Sequence, residues 1–182
     1  MNIFYRILLT FNATSLLVII FFVQKGYSVD YLIPTLSSRV AHLHNIYSFI
    51  VYLMFPILLT GLSLWLCRFL GKDEFGKGHV ETIEHANNSF LPSYLGYFFV
   101  ALSIENCETL IVVYSVLFVF TFLSQALYFN PLFLVFGYEF YNIKTKRGSS
   151  VFLISRKKYR SPEDVANIET SRINNYTFIE RG

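Results

Sequence analysis

The sequence predicts an α-helical membrane protein with four transmembrane helices and a small cytoplasmic C-terminal domain that contains a β-hairpin. The chain has 182 residues, of which 54% are hydrophobic and only 15% are charged, whereas a soluble domain usually carries about 25% charged residues. Four apolar stretches follow one another along it, and Lys and Arg are shared unequally between the segments that join them. This composition excludes intrinsic disorder, a coiled coil and a small disulfide scaffold, and it argues against a soluble enzyme.

The lengths of the apolar stretches set the number of predicted spans. A span needs about 20 apolar residues to cross about 30 Å of hydrocarbon. Ile3–Val23, Ile46–Leu66 and Leu110–Phe129 reach this length, whereas Phe90–Ile104 has only 15 residues. The short stretch becomes long enough if it recruits Ala86–Ser89, and it is otherwise a tilted or re-entrant segment. We therefore expect four transmembrane helices.

The distribution of positive charge predicts their orientation. With four spans, the N-terminus, the loop Cys67–Ser89 and the C-terminal tail share one side, which holds thirteen of the fifteen Lys and Arg residues. The other side holds Lys25 and Arg39. Cytoplasmic segments of membrane proteins are enriched in Lys and Arg, so both termini are predicted to be cytoplasmic. A three-span chain would send the nine basic residues of the tail outward, against the same rule.

The predicted domains are a four-span transmembrane domain, residues 1–137, and a small cytoplasmic α+β tail domain, residues 138–182. Tyr138–Thr145 and Ser150–Ser155 have the apolar and β-branched residues of strands, and Lys146-Arg147-Gly148 supplies a turn between them. These segments predict a β-hairpin.

The rest of the tail carries a helix signal and a strand signal. Ser161-Pro162-Glu163-Asp164 begins a helix, with Ser as the N-cap, Pro in the first position and acids in the first turn. We expect this short helix to end near Thr170, and Tyr176–Ile179 to form a last strand. A tail of 45 residues buries too little surface to be stable alone. It should therefore pack on the inner loop, on a neighbouring subunit or on a partner.

Polar residues inside a bilayer are costly and are the first functional candidates. Gln125 and Asn130 lie in the second half of the predicted fourth span. Their amides can bond across helices and hold an oligomer together. The alternative is that Asn130-Pro131 only marks the inner end of that span. Without an ionisable neighbour, a transport site is disfavoured.

Two acids occupy the predicted outer turn. In a symmetric oligomer, Glu105 and Glu108 would form an acidic ring at a candidate pore mouth, as in cation channels. The alternative, which we favour, is two solvated acids in a tight turn. His79 and His85 flank acids of the inner loop, but their spacing matches no metal motif, so no metal site is predicted. No catalytic constellation or cofactor motif appears, and an enzyme is not expected.

Basic residues of the tail are the candidate partner-binding residues, since the tail needs a surface to pack on. They are Lys146, Arg147, Arg156, Lys157, Lys158 and Arg160. Contact of the run 156–160 with anionic lipid is one alternative. A role as topology determinant on a solvated strand end is another, and it accounts for the run adequately. A single cluster is weak support for contact with nucleic acid, and no direct nucleic-acid binding is predicted.

Several stretches of the second half resemble a known family. They are SYLGYFFVALS at residues 93–103, FNPLFLVFGY at 129–138, FLISR at 152–156 and RSPEDV at 160–165. In these, the chain is similar to KwaA, the small membrane subunit of the Kiwa anti-phage defence system of bacteria. The resemblance implies a homo-oligomer in the inner membrane, with a tetramer expected, and a cytoplasmic DNA-binding partner of the KwaB kind. It implies no catalytic residue.

Together these observations predict a non-enzymatic membrane sensor and scaffold of an anti-phage defence complex. Its lipid-embedded part would respond to envelope disturbance, and its tail would recruit the cytoplasmic partner. The main alternative is a small oligomeric ion channel with Glu105 and Glu108 at its mouth. A lipid-modifying membrane enzyme and a structural subunit of a larger complex are further alternatives.

Overall fold

The computed structural model describes residues 3–29, 45–76, 79–88, 91–124, 130–165 and 167–181. These residues form five helices and six strands. The helices are α1 Ile3–Lys25, α2 Asn45–Leu66, α3 Leu91–Ser103, α4 Cys107–Ser124 and α5 Leu132–Val135. The strands are β1 Lys72–Phe75, β2 Val80–His85, β3 Glu139–Thr145, β4 Ser150–Ser155, β5 Ile168–Arg172 and β6 Thr177–Glu180. Single 3-10 turns occupy Cys67–Phe69 and Pro162–Asp164.

Helix α1 lies at the centre of the helical layer and contacts α2, α3 and α4. Its buried stripe repeats every four residues, at Tyr5, Leu9, Ala13, Leu17 and Phe21, which is the spacing of one helix face. Its polar residues at positions 10, 12, 14 and 15 are buried as well. Helix α1 is therefore enclosed on more than one side, which explains why three other helices pack on it.

The predicted fold class, a four-span helical membrane protein, is wrong. Among the described residues, only α1 and α2 are long and apolar enough to cross a membrane. Helix α3 has 13 residues, about 20 Å at 1.5 Å per residue, against about 30 Å of hydrocarbon. Helix α4 has 18 residues, of which the apolar part is Cys107–Leu123. Residues 125–129 of the predicted fourth span lie outside the described residues.

The structure also contains a six-stranded mixed sheet, where only a β-hairpin and one further strand were predicted. Its order is β1-β5-β6-β4-β3-β2, and its neighbours are antiparallel except for β4 and β6, which are parallel. The predicted hairpin is present as β3 and β4, with Gly148 at φ +80° in its turn, a conformation that favours glycine. The inner loop, for which no strand was predicted, supplies both edge strands, β1 and β2. The tail thus packs on the inner loop within one chain.

The two faces of the sheet are covered differently. Phe140, Phe152 and Ile154 face the helices and pack with Tyr5 of α1 and Phe133 of α5. On the opposite face, the apolar residues of β3, β4 and β6 pack against the connection from β4 to β5, through Tyr159 and Val165 of that connection. The sheet is therefore a middle layer between the helices and this connection.

The predicted helix after Ser161 is only one turn long. Ser161 is the N-cap residue, as predicted, and it forms a capping box with Asp164 around Pro162–Asp164. Asn167 then takes φ 55°, which ends any helix, and β5 follows by pairing with β1. The last predicted strand is present as β6.

Candidate functional site

A buried carboxylate lies where the sheet meets the helices. Glu180, at the end of β6, is 6% exposed. Its Oε2 accepts hydrogen bonds from the hydroxyls of Ser155 and Tyr159, and its Oε1 lies 2.7 Å from Nζ of Lys157. Burial, and then the hydrogen bond to Glu180, raise the pKa of Tyr159, so its hydroxyl stays protonated as a donor. These contacts of Glu180 join Lys157, in the basic run 156–160, to the end of β6.

A second acid at this junction is Glu139, the first residue of β3. Its Oε2 accepts a hydrogen bond of 2.7 Å from the hydroxyl of Tyr141, and Lys158 and His85 approach the carboxylate to 3.5 Å. The Tyr141 hydrogen bond is the main reason that the pKa of Glu139 is lowered. In turn, burial and the same hydrogen bond raise the pKa of Tyr141 to about 12. Glu180 and Glu139 thus pair with Lys157 and Lys158, whose side chains remain exposed.

The six predicted partner-binding residues are all exposed, but they divide between the two ends of the hairpin. Arg156, Lys157, Lys158 and Arg160 follow β4 at the end that adjoins the helices, where the Arg156 guanidinium lies 4.7 Å from the centre of the Tyr138 ring. Lys146 and Arg147 occupy the opposite turn. The β3–β4 ladder between the two ends has six residue pairs, about 20 Å of strand. The six residues therefore form two surfaces.

Two basic residues of the junction, Arg68 and Arg181, were not among the predicted site residues. The Arg181 guanidinium donates to the backbone carbonyls of Arg68 and Leu70, at 3.2 and 2.6 Å, and to the hydroxyl of Ser171. It thereby ties the C-terminal end of the sheet to the segment that leaves α2. The sequence holds no signal for this contact, because the residues it joins are 113 apart.

Polar side chains join the helices internally. The Nδ2 atoms of Asn12 on α1 and Asn130 before α5 both donate to the hydroxyl of Thr60 on α2, at 2.8 and 3.2 Å. The Tyr5 hydroxyl donates to the carbonyl of Ser63. Asn130, a predicted packing residue, is 2% exposed and makes its contact within one chain. Gln125, predicted beside it, lies outside the described residues.

The outer surface of the helices is apolar. Helix α2 buries its small and polar residues Ser48, Thr60 and Ser63, and it exposes large apolar ones. In a soluble protein the polarity of a helix is the reverse. Helices α3 and α4 also expose large apolar residues. The exposed residues include Leu58, Leu62 and Trp65 on α2, Phe98 and Phe99 on α3, and Val112, Val116 and Phe120 on α4.

The predicted pore-mouth acids lie around the start of α4, with Glu105 in the turn after α3 and Glu108 in the first turn of α4. Glu105 and Glu108 are exposed there, and the Asn106 side chain between them caps α4 by accepting from the amide of Thr109 at 2.8 Å. Over the part of the chain that the structure describes, no group of three or more His, Cys, Asp or Glu residues could hold a metal ion.

The profile of one protein family matches nearly the whole chain. It is the anti-phage protein KwaA, and the match covers residues 5–179. The chain belongs to the KwaA family. The resemblance drawn from the second half of the sequence is thereby confirmed and extends over both the helices and the sheet. This KwaA family member is accordingly an anti-phage defence protein. No curated protein and no solved structure matches it.

Proposed function

We propose that this KwaA family member is a membrane-anchored sensor and scaffold of an anti-phage defence complex, with α1 and α2 as its anchor. The reversed polarity of α2 carries this proposal. Helix α2 is long enough to span a membrane, yet only 17% of its apolar stretch is buried. The core helix of a soluble protein is mostly buried. Membrane helices put small and polar residues at helix contacts and large apolar residues toward lipid.

The sheet lies on the cytoplasmic side of the inner membrane in this proposal. The N-terminal end of α1 and the C-terminal end of α2 both adjoin the sheet, through Tyr5 and Cys67. The segments at that end carry thirteen of the fifteen Lys and Arg residues. The positive-inside rule therefore favours a cytoplasmic sheet and N-terminus with two spans, and it puts the Lys25 end of α1 outside.

Partner recruitment is assigned to the hairpin turn. Lys157 and Lys158 pair with Glu180 and Glu139, beside the helices, where lipid head groups would lie. Lys146 and Arg147 lie in the turn at the other end of the hairpin, which faces the cytoplasm in this proposal. We infer that these two residues contribute most to docking of the cytoplasmic DNA-binding partner that the family resemblance implies, on a homo-oligomer of this chain, expected to be a tetramer.

Affinity purification from the native host in mild detergent tests this proposal. After a carbonate wash, the tagged chain should stay with the membrane fraction, and it should elute as an oligomer with a stoichiometric soluble partner. Lys146→Glu/Arg147→Glu should lose the partner and keep the oligomer. The matched control Glu105→Lys/Glu108→Lys reverses two exposed charges at the other end of the molecule and should keep both. Release of the chain by carbonate would refute the anchor, and partner capture by the hairpin variant would refute the docking surface.

A further inference from the structure

A cleft opens between the end of α2 and the sheet. Its volume is about 740 Å³. Trp65 of α2 and Phe136 after α5 contribute apolar surface, and Arg68, Arg156, Lys157 and Arg181 contribute positive charge. Two acids, Glu169 and Glu180, also line it, and the second is already engaged by Lys157, Ser155 and Tyr159. The cleft therefore carries more positive than negative charge, next to an apolar wall.

Two of the three guanidinium groups that line the cleft are held in position before any ligand arrives. Arg156 stacks over Tyr138, and Arg181 is fixed by the two carbonyls at the end of α2. A planar guanidinium group matches the oxygens of a phosphate well, and a prepositioned one loses little side-chain entropy on binding. Leu58, two turns before Trp65 on the same face of α2, is exposed as well, and it extends the apolar surface beyond the cleft.

We propose that this cleft binds an anionic phospholipid, with the head-group phosphate at Arg68 and Arg156 and an acyl chain along α2. The proposal rests on the membrane anchor described above. Basic pockets on the cytoplasmic side of membrane helices are suited to anionic head groups. An apolar wall beside the charges favours a lipid over a free phosphate, since a free phosphate makes no use of it. The bound lipid would join the helices to the sheet.

The single tryptophan of the chain lines the cleft and makes the test direct. The full chain is reconstituted in nanodiscs of phosphatidylcholine with a minor share of phosphatidylglycerol, and one of the two lipids carries brominated acyl chains that quench tryptophan. At equal bromine content, brominated phosphatidylglycerol should quench Trp65 more. Since a basic residue near an anionic surface is worth about a fivefold change in binding, Arg68→Gln/Arg156→Gln should remove the preference.

Two further variants separate a local site from general charge. Lys146→Gln/Arg147→Gln removes the same charge at the far turn and should keep the preference. Arg68→Lys/Arg156→Lys keeps the charge but loses the planar guanidinium groups, so it should retain only part of the preference. Equal quenching by both lipids in the parent chain would overturn the lipid site but leave the anchor intact. Quenching by neither lipid would overturn both. Loss of the preference on addition of millimolar inorganic phosphate would mean that the cleft takes a free phosphate instead.

Discussion

Glu180 shows how a single residue ties the tail together. Its carboxylate is enclosed at the junction and receives three donors, from Ser155, Lys157 and Tyr159. Lys157 remains well exposed, so its ion pair adds little, as for other solvated pairs. The two buried hydroxyls matter more, because a buried donor without an acceptor is costly.

Removal of this carboxylate should destabilise the protein. In Glu180→Ala, the hydroxyls of Ser155 and Tyr159 lose their acceptor, and the free energy of unfolding should fall by about 3 kcal/mol. Denaturant titration of the detergent-solubilised protein measures it. Glu169→Ala, which removes an exposed acid of β5, is the matched control and should change stability by less than about 0.5 kcal/mol. Equal effects of the two variants would contradict this role of Glu180.

Glu139 makes the stability of the junction depend on pH. Its pKa is lowered in the folded state, chiefly by the Tyr141 hydrogen bond. A group with a depressed folded pKa contributes stability above its ordinary value of 4.5, and this contribution is lost as the pH falls through the folded pKa. In Tyr141→Phe, the pKa of Glu139 should rise, so the variant should lose less stability than the parent between pH 6 and pH 3.

The comparison that tests this is between two Tyr→Phe variants. Tyr176 is exposed and far from either acid, so Tyr176→Phe should show the same acid dependence as the parent. Acid titration of the unfolding free energy separates the cases. A parallel loss of stability in all three proteins would mean that the hydrogen bond does not set the pKa of Glu139.

At the scale of elements, local sequence was enough only where local contacts form the structure. The hairpin β3–β4 was predictable because its two strands are close in sequence and its turn residues are characteristic. Strands β1 and β2 were not, since their sequences, KDEF and VETIEH, are as polar as a loop. They become strands by pairing with β5 and β3, and Lys72 and Ser171 of the first pair are distant in sequence. Tertiary context commonly overrides strand propensity in this way.

The joint between α5 and β3 depends on Gly137. Its φ is +75°, and the amides of Gly137 and Tyr138 donate to the carbonyls of Leu134 and Phe133, at 3.0 and 3.1 Å. These bonds, with the contact between the rings of Phe133 and Tyr138, form a Schellman motif. The motif turns the chain from the helical layer into the sheet.

Substitution of this glycine should weaken the joint. Gly137→Ala places a Cβ on a left-handed residue, which costs about 1–2 kcal/mol, and the unfolding free energy should fall by that amount. Gly71→Ala is the matched control, because Gly71 has an ordinary φ and open space for a Cβ. It should be neutral. Equal stability of the two variants would show that the positive φ at Gly137 carries no strain for alanine.

At the scale of the whole molecule, composition showed that the protein is apolar, but it did not show where each helix begins and ends. Hydropathy registers Phe90–Ile104 and Leu110–Phe129 as apolar stretches, and it does not reveal that α3 ends at the turn before Cys107 after 13 residues. The candidate site met a similar limit. The sequence identifies the basic residues but not where they lie. The fold separates them by the length of the hairpin, and it brings Arg68 and Arg156 to one cleft.

The proposed orientation can be tested with two lysines at opposite ends. Lys25 ends α1 and Lys146 lies in the hairpin turn, so each is replaced by Cys in a Cys107→Ser background, which removes the exposed native thiol and leaves the buried Cys67. With the sheet in the cytoplasm, a membrane-impermeant maleimide should label Lys25→Cys in intact spheroplasts. It should label Lys146→Cys only after permeabilisation. This order is expected because positive charge is retained mainly on the cytoplasmic side. Labelling in the opposite order would reverse the proposed orientation and place the partner-binding turn outside the cell.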